Sequence, residues 1–109
     1  IATFPVDEDG NYTPAGATTA STPSLANVNA SASSVTLLEA NTSRLGAIVY
    51  NDSGADLYLK YGSSASTTSF TYFVQANSPW EMPPGAVYTG IITGVWSSAT
   101  GAARVTELT

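Results

Sequence analysis

The stretch RLGAIVYNDSGADLYLKY, residues 44–61, decides the fold class. Its two apolar runs, 44–51 and 56–61, alternate with a period of two. Leu57, Leu59 and Tyr61 share one strand face, and Tyr58 and Lys60 share the other. Between the runs, Asn51-Asp52-Ser53-Gly54 offers residues that tolerate left-handed backbone, so a tight hairpin is expected there. Working outward, the same alternation recurs at 35–39, 70–75, 80–82, 90–97 and 104–108. Residues 62–66 and 98–101 read as loops, and Pro83-Pro84-Gly85 should break any ladder. No segment repeats apolar residues at helical spacing over three turns. The expected fold is all-β: an antiparallel β-sandwich or jelly-roll-like domain of about seven strands over residues 35–109.

Residues 1–34 follow a different rule. Their sizeable apolar residues, Ile1, Phe4, Val6, Tyr12, Leu25 and Val28, keep no period, and TPAGATTASTPS (13–24) is a run of small and turn-forming residues. Such a segment buries too little apolar area to offset its ordering entropy. It is expected to be an extended N-terminal arm that becomes ordered along a neighbour, with Phe4, Val6 and Tyr12 as its apolar anchors. The chain begins at Ile1 and its one methionine is Met82, so it is expected to be processed or part of a longer chain.

Charged residues make up 10% of the chain, against roughly 25% in an ordinary soluble domain. Polarity comes instead from 29 Ser and Thr. A hydroxylated surface of small side chains is easily desolvated when another surface docks. Eight acids outnumber Arg44, Lys60 and Arg104, for a net charge of −5. Three dispersed cations cannot neutralise the phosphates from which nucleic-acid binding draws its affinity, and the same holds for an anionic membrane. Neither is expected as a partner. No apolar run approaches the ~18 residues of a membrane-spanning helix.

Few residues point to chemistry. The chain has no His and no Cys, so Ser-His and Cys-His nucleophile pairs cannot form. Glycosidase chemistry needs two facing carboxyls, for which Glu39, Glu81 and Glu107 are the weak candidates. An EF-type calcium loop from Asp7 would need Gly and Glu where Tyr12 and Thr18 stand. No enzymatic activity, cofactor or metal is expected. The Asn-x-Ser/Thr triplets at Asn11, Asn29, Asn41 and Asn51 are what chance produces in so hydroxyl-rich a chain.

Aromatics carry the remaining signal. Both faces of several strands are apolar or aromatic, leaving either amphipathic tyrosines at the surface or a subunit contact. Trp96, in the apolar strand GIITGVW, reads as core. Phe70, Tyr72 and Val74 form one stripe. Trp80, between Pro79 and Glu81, reads as a loop-like contact residue, and with Tyr58 it completes the interface candidates. A rival use for exposed Trp and Tyr is stacking on sugar rings.

Three stretches carry a resemblance: SASSVTLLEAN (31–41), RLGAIVYNDSGADLYLKYGSSASTTSF (44–70) and TGIITGVWSSATGAARVTEL (89–108). Together they make the chain similar to a small β domain of virion structural proteins from tailed bacteriophages and prophages. The resemblance implies a virion location, a decoration, cement or appendage role, and other virion proteins as partners. It also implies a homo-oligomer, a trimer among its forms, and no reaction.

Overall fold

The computed structural model describes residues 19–109. Eight strands run through it: β1 (Pro23–Asn29), β2 (Val35–Leu38), β3 (Gly46–Asp52), β4 (Leu57–Tyr61), β5 (Tyr72–Val74), β6 (Ser78–Glu81), β7 (Ile92–Trp96) and β8 (Ala102–Leu108). They form two four-stranded antiparallel sheets, β1-β8-β3-β6 and β2-β7-β4-β5, and the described residues hold no helix. The pairing is nested. β1 lies on β8, β2 on β7, β3 on β6 and β4 on β5, as though one long hairpin had been bent over into two layers. This is the strand order of a jelly roll.

Two expectations are corrected. The tight hairpin at 51–54 does not form: β3 pairs with β8 and β6, whereas β4 pairs with β7 and β5. The chain at Ser53-Gly54-Ala55 instead arches from one sheet to the other. β3 and β4 are each a central strand of its own sheet, and each buries an inner face. The second correction concerns the arm. Residues 23–29 are β1, laid along the whole of β8. Leu25 is 74% exposed and only Val28 packs on the core, so apolar patterning gave no sign of a strand held by its ladder.

The inner faces meet in an apolar core of Val49 and Val105 from the first sheet and Leu57, Leu59, Ile92 and Trp96 from the second. β7 is buried along its whole length, which is why it reads as apolar on both faces. Gly94 lies at its centre, where a Cβ would stand 2.8 Å from Leu57 Cδ1 and 2.9 Å from Leu37 Cδ1. Gly101 (φ +92°) is required where two inter-sheet arches cross, because a Cβ there would lie 2.5 Å from Ser53 Cβ.

Buried polar side chains close both ends of the sandwich. At one end Arg44 donates from Nε to Glu107 Oε2 (2.8 Å), from Nη1 to Tyr88 O (2.7 Å) and Gly90 O (2.9 Å), and from Nη2 to Glu39 O (2.6 Å). Asn41 Nδ2 donates to the other Glu107 oxygen. At the opposite end Asn51 Nδ2 donates to Ala55 O, Val74 O and Gln75 O, while Oδ1 accepts from Trp96 Nε1 at 3.0 Å. Each residue ties three separate chain segments together.

Candidate functional site

The outer face of the second sheet carries the surface best suited to recognition. Register places Val95 of β7, Tyr58 of β4 and Phe73 of β5 in one row across the strands. Phe70 folds in from the β4–β5 loop. Tyr58 meets Phe70 at 5.0 Å and Phe73 at 5.3 Å between ring centroids, both edge-on, the geometry that ring quadrupoles favour. Phe70 and Phe73 remain 42% and 47% exposed. Phe70 was expected on the stripe of Tyr72 and Val74. Because β5 begins only at Tyr72, the preceding backbone is free to turn that ring outward.

The loop behind this patch is stapled by hydroxyls. Ser66 and Ser69 exchange backbone hydrogen bonds, and Ser66 Oγ accepts from the Thr68 and Ser69 amides. Ser34 Oγ accepts from Ala65 N beyond β7, and Thr93 Oγ1 donates to Gly62 O at 2.6 Å. Lys60 Nζ donates to Ser69 Oγ at 2.8 Å and to Ser64 O. The hydroxyls of Ser34, Ser66, Ser69 and Thr93 thus scaffold the loop that carries Phe70. All three cations make intramolecular contacts, since Arg104 bridges Asp52 at 3.0 Å and Arg44 is buried on Glu107.

Trp80 does not belong to this surface. In β6 it stands opposite Val49, and the pleat that buries Val49 turns the indole inward too, leaving it 7% exposed. It joins an aromatic seam between the sheets. Tyr61 stacks on Tyr88 at 4.5 Å, and Trp80 lies 5.3 Å from Tyr72 and 6.2 Å from Tyr61. Two polar atoms in the seam, Tyr61 Oη and Trp80 Nε1, are buried without a hydrogen-bond partner. Burial, and then the neighbouring Tyr72, push the Tyr61 phenol up to about 12, against a smaller pull from Arg44. Beside the seam, at the open edge between β5 and β6, lies a recess of about 280 Å³ lined by Phe73, Val74, Gln75, Ser78, Pro79 and Trp80.

Tyr58 is thus the interface candidate that lies in the exposed patch. Phe4, Val6 and Tyr12 lie outside the described residues, as does the EF-type loop weighed from Asp7. Among the carboxylates weighed for catalysis, Glu107 has both oxygens engaged by Arg44 and Asn41, and Glu81 sits exposed at the end of β6. Among the described residues no group of three His, Cys, Asp or Glu could hold a metal, and no helix is long and apolar enough to cross a membrane. The polar closures at Arg44 and Asn51 went unseen in the sequence. A lone Arg ahead of an apolar strand was the available signal for the first, whereas turn chemistry masked the second. Comparison with protein-family models, with curated proteins and with solved structures finds no match.

Proposed function

We propose that this chain is a non-enzymatic structural subunit of a tailed-phage virion. In this reading it is a decoration, cement or appendage protein that packs against copies of itself and other virion proteins. The observation that carries the reading is the Tyr58–Phe70–Phe73 patch, an exposed aromatic cluster on a stapled, hydroxyl-rich face. Pre-ordered aromatic side chains contribute most at protein interfaces, because little side-chain entropy is lost when they dock. The jelly roll supports it by analogy alone, since viral capsid proteins and lectins both use that fold.

The test pairs folding with binding. Phe70→Ser combined with Phe73→Ser should leave far-UV circular dichroism unchanged and lower the full chain's co-sedimentation with particles lacking it by at least ~tenfold. Equal binding by the variant would remove this face from the interface. The second reading, a glycan-binding module, has the recess beside Phe73 in its favour, although Trp80, its expected stacking platform, is buried. Binding of the wild-type chain to host surface polysaccharide, lost in the same variant, would favour it.

A further inference from the structure

We propose that β1 is a self-pairing edge, adding antiparallel to β1 of a second copy across a two-fold axis and joining two first sheets into one. This rests on the reading of the chain as a subunit that packs against its own copies, and it names the element through which they meet.

The ladder fixes which backbone groups are available. Thr22 and Thr109 exchange hydrogen bonds at one end of β1, and Ala30 N donates to Gly101 O at the other. In an antiparallel pair, hydrogen-bonded rungs alternate with rungs that are not. With Pro23 opposite Leu108 and Asn29 opposite Ala102, the backbone groups of Ser24, Ala26 and Val28 turn toward β8. Those of Leu25, Asn27 and Asn29 turn outward. Pro23, which has no N–H, stands in the outward phase, where it removes no bond to β8.

The other three sheet edges carry the devices that discourage strand addition, and β1 does not. β5 is three residues long, β6 contains Pro79 and Glu81, and β2 is four residues long with a register shift between Thr36 and Leu38. β1 has seven residues in unbroken register, with its proline only at the first position. Six of the seven are exposed, so β1 gains little from burial within its own subunit.

Charge selects the occupant. Each copy carries −5, so two copies repel at most approaches. No charged residue occurs from Gly10 to Leu38, which makes β1 a neutral line of contact between two anionic chains. A two-fold axis at Asn27 sets Leu25 opposite the second copy's Asn29, and every outward N–H then meets an outward C=O.

Sedimentation of the full chain over a dilution series tests this. Wild type should form a dimer. Asn27→Pro removes an outward N–H while sparing the bonds to β8, and should weaken self-association at least ~tenfold with unchanged circular dichroism. Residues paired on such a rung stand ~5.5 Å apart at Cα, within disulfide range. Asn27→Cys, in a chain without other cysteines, should therefore cross-link to a covalent dimer on mild oxidation, while Ser98→Cys on an exposed loop should not. Should Asn27→Pro fail to fold, the cross-link decides alone. Undiminished association of a folded Asn27→Pro, a trimer as the sole multimer, or no cross-link at Asn27 would overturn the edge assignment and leave self-packing by another surface standing. A wild-type chain that stays monomeric at every concentration would overturn both.

Discussion

Arg44 and Asn51 stand at opposite ends of β3, and each closes its end of the sandwich with a buried side chain that gathers three chain segments. The chemistry differs. Arg44 is a buried cation whose charge is met by Glu107 and whose remaining donors go to backbone carbonyls. Asn51 is neutral, and its amide satisfies three carbonyls and one indole N–H with no charge to desolvate. A buried ion pair adds little net stability over an apolar filling, yet breaking it on one side strands the other charge. A neutral amide strands only dipoles. The two ends should therefore look alike in the intact protein and differ when one partner is removed.

The largest expected effect is at the charged end. Arg44→Met leaves Glu107 and the carbonyls of Glu39, Tyr88 and Gly90 without their partner, and should cost about 3–5 kcal/mol in chemical denaturation. Adding Glu107→Leu should recover part of that loss, because the stranded charge goes with it. A loss under ~1 kcal/mol for Arg44→Met would mean that water reaches the pair and the ends are equivalent.

Asn51→Leu should cost less, about 2–3 kcal/mol, because it orphans neutral groups only. The change should also alter the emission of Trp96, whose indole N–H loses its acceptor. If this variant is as destabilised as Arg44→Met, charge is not what separates the two ends.

The smallest effect is expected at Tyr61, in the aromatic seam. Its hydroxyl has no partner to lose, so Tyr61→Phe should shift stability by no more than ~0.5 kcal/mol near neutral pH. Alkaline titration separates it from wild type. The folded pKa of about 12 lies above the ordinary value of 10.0, so the contribution of neutral Tyr61 is complete below pH 10 and lost as pH rises toward 12. The Phe variant should lack that loss, which melting curves from pH 9 to 12 would reveal. Identical alkaline curves would show that the phenol ionises freely in the folded state.

Period-two alternation by itself determined that the fold is all-β, roughly where the strands after residue 34 lie, and which residues of β4 share a face. Alternation reports burial on one side of a strand, and that is a local property. It separated Tyr58 from Leu57 and Leu59 for the same reason, and burial of the two leucines then turned Tyr58 outward. Tertiary structure alone decided which strands pair. The bonds of β1 to β8, and of β3 to β8 and β6, join segments far apart in the chain, and nothing local distinguishes a hairpin at 51–54 from an arch between sheets. It also decided the fate of single side chains. Trp80 sits inside because β6 lies against Val49, Phe70 sits outside because β5 starts late, and β1 exists because β8 offers it a ladder. Each of these outcomes depends on a neighbour that the surrounding residues do not specify.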